Sequence, residues 1–127
     1  PGARVPLYAT GVGKLFLSRL SASDLAAYLK RIDLKSFTRH TLIEKDRIVA
    51  ELNRIRTRGF AVDNEEMEEG VRCVAVLIFD HNNLPAASIS ISGAAMRVTP
   101  DRVEHFGELI KACALTISRE LGFNSTH

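Results

Sequence analysis

The chain has 127 residues, of which 46% are hydrophobic and 25% are charged, and its formal net charge is +2 at pH 7. These values are ordinary for one globular domain with its own core, and the charge is too small to indicate a nucleic-acid surface. No run of about 18 apolar residues occurs, so the sequence predicts no membrane partner. We expect a single domain over residues 1–127 and a cytoplasmic location, since no secretory leader is visible.

Residues with catalytic or metal-binding potential are few. Cys73 and Cys113 lie in segments typical of a core and form no CxxC pair, so we expect two buried free thiols in a reducing cytoplasm. The four histidines show no metal-ligand spacing, and no GxSxG turn of a serine nucleophile is present. The sequence therefore predicts no cofactor, no metal and no catalytic residues.

Apolar residues at helical spacing predict four helices, of which three cover about residues 10–20, 44–58 and 100–121. The second helix follows a break at residues 21–23 and carries Leu25, Tyr28, Leu29 and Ile32 on one side. Thr10 is a candidate N-cap for the first, and Thr41 has capping-box spacing to Glu44 at the start of the third. Gly59 is a natural stop for the third helix. In the last helix the residues expected to face the core are Val103, Phe106, Ile110, Cys113, Ile117 and Leu121.

Three strands are predicted between the third and last helices. Residues 60–63 form a short strand, residues 71–79 are apolar on both faces and form a central buried strand, and residues 84–92 return as a hairpin. Helices, then a hairpin-rich sheet, then a closing helix make an α+β order. Because three short strands make a thin sheet, we expect further strands upstream in the full protein.

Ser88, Ser90 and Ser92 share one face of the last strand. If residues 80–83 form a four-residue loop, Cys73 lies opposite Ser90 and Val71 opposite Ser92, so small residues share that face. This face could point to water, be filled by small helix residues, or hold a small polar ligand. The pattern alone favours simple packing.

Two further features could contribute to a ligand site. The glycine-containing turn Thr10–Lys14 opens a helix, where free backbone N–H groups attract anions such as carboxylates, although it lacks the P-loop pattern. Asp63, at the end of a strand, is ordinarily a turn residue. Beside a pocket it could instead accept hydrogen bonds from a hydroxyl or a hydrated carbonyl.

Taken in order, several segments carry a resemblance that covers essentially the whole chain: residues 6–14, 58–63, 65–75, 79–80, 88–93 and 97–100. Together they resemble the C-terminal domain of IclR-type bacterial transcription regulators, nearest to the isocitrate-lyase-operon repressor branch. The resemblance implies a GAF- or profilin-like fold, a curved antiparallel sheet flanked by helices, which is truncated here at its N-terminal strands. It also implies an upstream winged helix-turn-helix domain, absent from this chain, and dimers or tetramers.

Carried over position by position, the family's effector pocket falls on Gly11, Val12, Asp63, Val71, Cys73, Ser90 and Ser92. The resemblance implies a small carboxylate effector, a 2-oxo acid or sugar acid, with the carboxylate on the Gly11 and Val12 amides. Val12 departs from the glyoxylate- and pyruvate-binding branch, where the position looks like Ala, so the entrance here is bulkier. DNA would be a partner only through the missing domain.

Two other functions remain open at this point. The chain could be a small cysteine-dependent enzyme with Cys73 as nucleophile, which would need a nearby group that lowers the thiol pKa. It could also be a purely structural oligomerisation module whose pocket is filled.

Overall fold

The computed structural model describes residues 6–123. A short 3₁₀ turn, Leu7–Ala9, precedes the first helix. The order of helices, hairpin-rich sheet and closing helix is as predicted. The elements are α1 (Gly11–Leu17), α2 (Ala22–Arg31), α3 (Lys45–Arg58), β1 (Ala61–Asn64), β2 (Val71–Phe79), β3 (Pro85–Ala94) and α4 (Pro100–Glu120).

Helix α1 begins where the sequence predicts but ends earlier. The Thr10 hydroxyl accepts a hydrogen bond from the Gly13 N–H at 3.1 Å, which satisfies one of the free donors of the first turn. A side chain on Gly13 would overlap the backbone of Leu7, so only glycine fits here. The helix stops at Leu17 rather than near Leu20, because the next residues form tighter i→i+3 bonds.

The predicted capping box of α3 is wrong. Glu44 is the N-cap residue, but no side chain makes a capping hydrogen bond there. Thr41 instead accepts hydrogen bonds from the Phe37 and Thr38 amides and donates to the carbonyl of Glu66. A long-range contact thus takes the hydroxyl that the local pattern had assigned to the helix. The predicted stop is confirmed: Gly59 ends α3 with a φ of 85°.

The three strands form one antiparallel sheet in the order β1-β2-β3. The predicted register is off by two residues, since Cys73 lies opposite Ser92 and Ala75 opposite Ser90. Phe79 pairs with Pro85, which makes the connection one residue longer than expected, and a bulge between Ile78 and Phe79 adds one more. Because the shift is even from Val71 to Ile78, the side chains paired there stay on the faces that the sequence analysis gave them.

Helices cover both faces of the sheet, as the resemblance implied. Helices α1 to α3 pack on the face that carries Ala61 and Ala75, and α4 packs on the opposite face, against Val74, Val76 and Ile78. Among the helices of residues 6–123, none combines the length and apolarity needed to cross a bilayer. The buried face of α4 consists of Val103, Gly107, Ile110, Ala114 and Ser118.

The second half of α4 departs from the prediction. Cys113, Ile117 and Leu121 are exposed, and Cys113 is therefore not the buried thiol expected. Small residues take the inner positions instead: a Cβ on Gly107 would lie 2.6 Å from the Phe60 ring, and Ser118 accepts the Phe79 N–H at 2.9 Å. The hydropathy pattern predicted the wrong inward residues, because α4 lies so close to the sheet that only small side chains fit between them.

Candidate functional site

Three of the predicted site residues lie in one row across the sheet. Asp63 on β1, Cys73 on β2 and Ser92 on β3 are direct neighbours, and directly paired residues share a face. In the next row Ala75 lies between Ala61 and Ser90. The sheet therefore presents a flat patch of small and polar side chains toward α1.

Gly11 stands over the centre of this patch. A Cβ on Gly11 would lie 3.4 Å from the Ala75 Cβ and 3.8 Å from the Cys73 Sγ. Within residues 6–123 the N–H groups of Gly11 and Val12 have no hydrogen-bond acceptor. We call the surface formed by Gly11, Asp63, Cys73, Ser90 and Ser92 the small-residue shelf.

The shelf is open in the described chain. Ser88, Ser90 and Ser92 are exposed, because α1 packs mainly on β1 and β2 and leaves β3, an edge of the described sheet, largely uncovered on this face. Val12 is half-buried against the α1–α3 core, and Val71 lies two residues from Cys73, opposite Ala94. The structure thus brings Gly11, Val12, Asp63, Cys73, Ser90 and Ser92 to one region, with Val71 at its margin.

The larger surface clefts that we find lie elsewhere. One of about 520 Å³ lies between α2 and α3, and one of about 460 Å³ lies between α1, the end of α3 and β2. Neither is lined by shelf residues. Residues 6–123 contain no cluster of three or more side chains suited to a metal ion.

Asp63 is nearly buried and serves partly as the turn residue that the sequence analysis considered. Its Oδ1 accepts the Glu66 N–H at 2.8 Å, and the residue is 8% exposed. Burial raises the pKa of its carboxyl, while the hydrogen bond from Glu66 and the charge of Lys14 act in the opposite direction. The carboxyl is therefore poised closer to protonation than an exposed aspartate.

A buried ion pair beside the shelf was missed by the sequence analysis. Lys14 Nζ lies 2.9 Å from Glu66 Oε2 and 3.1 Å from Oε1, and it also donates to the carbonyl of Val62. The two side chains are 1% and 4% exposed. Burial raises the pKa of Glu66, and the charge of Lys14 opposes that rise. The available signal was a lysine early in an apolar helix, where the helix dipole disfavours a cation.

Hydrogen bonds hold the start of the loop after β1 against the rest of the fold. The Thr38 hydroxyl donates to the Glu65 carbonyl at 2.6 Å. Arg72 donates to the Asn64 side chain at 2.9 Å and to the carbonyls of Ala95 and Val98. Glu65 and Glu66 are thus built into the fold next to Asp63, whereas Glu68 and Glu69 are exposed. The position of this segment relative to α1 is fixed by the Lys14–Glu66 pair.

Cys73 lacks the surroundings of a catalytic thiol. Burial raises its pKa, and the charge of Asp63 raises it further, while hydrogen bonding by Ser90 and the charge of Lys14 lower it. A reactive cysteine needs the opposite balance, with a nearby cation or histidine that favours the thiolate. The geometry therefore speaks against the nucleophile hypothesis.

Residues 1–119 match the family model described as "Bacterial transcriptional regulator IclR C-terminal". The chain belongs to the IclR family. It is 38% identical over 121 residues to the transcriptional repressor IclR of Escherichia coli K12, which covers 95% of this chain and 44% of the repressor. The chain thus spans a little under half the length of that relative. Other relatives carry the names of transcriptional regulators and repressors, not of enzymes.

Two solved structures share the fold. The IclR protein of Thermotoga maritima superposes with a TM-score of 0.84 at 44% identity, covering 96% of this chain and 49% of that one. The inducer-binding domain of PobR from Acinetobacter, solved as a double mutant with 3-hydroxybenzoic acid, gives a TM-score of 0.81 over 96% of this chain and 68% of its own. At 24% identity the latter likeness shows the fold alone.

Proposed function

We propose that this domain senses a small organic acid for a bacterial IclR-type regulator, and that the acid binds on the small-residue shelf. The observation that carries the proposal is the row Asp63–Cys73–Ser92, above which Gly11 offers backbone with no side chain. The proposed contact residues are Gly11, Val12, Asp63, Val71, Cys73, Ser90 and Ser92. The effector is a 2-oxo acid or a related sugar acid.

Each part of the shelf has a chemical task in this proposal. The free N–H groups of Gly11 and Val12 donate to the effector carboxylate, helped by the Ser90 and Ser92 hydroxyls. Cys73 provides a compact, polarisable wall below the acid. Asp63 holds the other polar end of the molecule. An acid of a few carbon atoms fits a patch whose side chains are this small.

Signal output depends on parts of the protein beyond this domain. The curated relatives are about twice as long as the matched region, and we infer an upstream winged helix-turn-helix domain that contacts DNA. Effector binding would favour one arrangement of a dimer or tetramer and so change DNA affinity. Such a regulator acts in the cytoplasm, where DNA and metabolites meet.

Serine variants test the site by calorimetry with glyoxylate and pyruvate as probes. Hydrogen bonds to charged groups contribute about 1.5–3 kcal/mol, so Ser90→Ala and Ser92→Ala should each weaken binding about tenfold or more. Ser88→Ala is the matched control on the same face, since Ser88 lies opposite Leu77, beyond the shelf, and should have much less effect.

The rival hypothesis, a structural module without an effector, predicts that neither acid binds or raises the melting temperature. Equal losses of affinity in Ser88→Ala and Ser90→Ala would contradict the placement of the acid beside Cys73. Unchanged affinity in both Ser90→Ala and Ser92→Ala would place the bound acid elsewhere.

Self-association and DNA binding are tested separately on the same chain. Sedimentation at micromolar concentration should show dimers or tetramers, and a clean monomer would contradict the proposed assembly. In a gel shift at about 150 mM salt, where weak phosphate contacts are screened, the chain should show no specific retention. Specific retention would contradict the assignment of DNA binding to a separate domain.

A further inference from the structure

We infer that Asp63 carries a proton when a 2-oxo acid occupies the small-residue shelf, so that this effector binds together with one proton. The inference rests on the proposed function and specifies its chemistry. The charges around the shelf do not sum to zero. One ammonium, of Lys14, faces two carboxyl groups, of Asp63 and Glu66.

The ammonium has no capacity left for a ligand. A lysine has three N–H donors, and Lys14 directs its Nζ to both carboxylate oxygens of Glu66 and to the carbonyl of Val62. With a side chain only 1% exposed, Lys14 is not free to turn toward a newcomer. Its charge is thus largely cancelled where it stands.

Apart from Lys14, whose charge is already paired with Glu66, the groups around Asp63 add no unpaired positive charge. Glu66 faces it from the loop, Cys73 faces it from β2, and Lys14 faces it from α1. Arg72 is one residue from Cys73, but its guanidinium is held by Asn64 and by the carbonyls of Ala95 and Val98. Its charge is also paired with the Glu65 carboxylate at 3.4 Å. Among the described residues, Asp63 has no salt-bridge partner.

An effector carboxylate on the shelf would therefore stand near an ionised Asp63 with no counter-ion between them. Asp63 itself is buried, and a like charge placed beside a buried carboxylate favours the protonated form of one of the two groups. Asp63 is the group to do so, because burial has already raised its pKa, whereas the effector carboxylate is stabilised by the Gly11 and Val12 amides.

A proton on Asp63 would allow its carboxyl to donate a hydrogen bond to the effector. Oδ1 of Asp63 accepts the Glu66 N–H, and the Met67 N–H also contributes a hydrogen bond to the carboxyl. Within residues 6–123, no side chain donates to the second oxygen, Oδ2. A 2-oxo oxygen has lone pairs and no hydrogen, so only a protonated Asp63 can donate to it. The proton comes from solvent and no covalent bond to carbon changes. A 2-hydroxy acid would instead donate its own hydroxyl to an ionised Asp63 and would need no proton.

Calorimetry in two buffers of different ionisation enthalpy measures the proton uptake directly. The probe is pyruvate, which is mostly the 2-oxo form in water, between about pH 5.5 and 7.5, a range above the ordinary pKa of a carboxyl. We expect uptake that approaches one proton per pyruvate within this range, and an affinity that rises up to about tenfold per pH unit as pH falls. Glyoxylate, which is mostly a hydrated diol with its own hydroxyl donors, is the comparison and should take up less.

Two variants make the experiment specific. Asp63→Asn keeps an acceptor for the Glu66 N–H and has its own N–H donor, and its affinity should no longer change with pH. Asp33→Asn removes an exposed aspartate and should leave the proton uptake as in the unmodified chain. Binding without proton uptake, or uptake that persists in Asp63→Asn, would overturn the inference while leaving acid sensing intact. Failure of both acids to bind would overturn the proposed function and this inference with it.

Discussion

Lys14 Nζ and Glu66 Oε2 lie 2.9 Å apart in the interior, between the first turns of α1 and the loop that follows β1. This pair joins the two segments that carry Gly11 and Asp63. Removing one partner leaves the other charge buried without compensation, which typically costs about 3–5 kcal/mol. We therefore predict that Lys14→Met and Glu66→Gln each lower the free energy of unfolding by about that amount in urea denaturation.

The double variant separates the pair from its surroundings. With both charges removed, Lys14→Met with Glu66→Gln should be less destabilised than the sum of the single variants. Glu69→Gln is the control, because the Arg39–Glu69 pair is exposed and surface pairs contribute about 0–1 kcal/mol. Strict additivity of the two single effects would show that Lys14 and Glu66 do not depend on each other.

Gly11→Ala should separate binding from folding. The new methyl group would meet the Ala75 Cβ at 3.4 Å and the Cys73 Sγ at 3.8 Å, which are ordinary contacts. We expect a stability change below about 1 kcal/mol, since alanine is also the better helix former. The methyl group would occupy the space above Cys73, so acid affinity should fall tenfold or more. Denaturation and calorimetry on the same sample measure both quantities.

Gly13→Ala, two residues further along the chain, should instead destabilise the fold. Its methyl group would overlap the backbone of Leu7, so the fold itself must shift. Overpacking of this kind costs about 1–3 kcal/mol or more, and the melting temperature should fall accordingly. If Gly11→Ala and Gly13→Ala destabilise the chain equally, the shelf is packed shut rather than open.

The stability of the chain should respond to Asp63 in a pH-dependent way. The pKa of Asp63 is raised in the folded state, so its contribution to stability is fully present at low pH and is lost as pH rises through the folded-state pKa. Asp63→Asn abolishes that loss. The variant should therefore raise the melting temperature at about pH 7.5 and have little effect at about pH 3, below the ordinary pKa of aspartate. An equal effect at both pH values would contradict this sign.

The two thiols should differ in reactivity. Cys113 is exposed on α4, while Cys73 is half-buried with a raised pKa, and the thiolate is the species that reacts with iodoacetamide. Mass spectrometry should find Cys113 modified first at about pH 7.5, and a bound acid should slow labelling of Cys73 alone. Cys113→Ser isolates the slower reaction. Faster labelling of Cys73 at acidic pH would restore the nucleophile hypothesis.

Local signals and face assignments could be predicted from the sequence because they depend on near neighbours. The Thr10 cap, the Gly59 stop and the buried strand β2 are all where the pattern indicates. The shared face of Cys73 and Ser92 follows from the alternation of strand side chains, which an even register shift preserves.

Long-range contacts could not be predicted from the local sequence pattern. Thr41 has the spacing of a capping residue, yet it bonds Glu66 across the fold, 25 positions along the chain. Lys14 similarly selects Glu66 from a run of four nearby glutamates. The local sequence contains several equivalent partners in each case, and only the assembled core distinguishes them. The inward face of α4 was missed for a related reason, because Gly107 and Ser118 carry no hydrophobic signal.

Gly107 also makes a mechanical link between the two halves of the fold. The Phe60 ring fills the notch that this glycine leaves in α4, and Phe60 immediately precedes β1, the strand that ends with the Asp63 side of the shelf. A ring seated in a notch has no room to slide along the helix. A displacement of β1 would therefore move α4 as well, which would couple a structural change on the shelf face of the sheet to the opposite face.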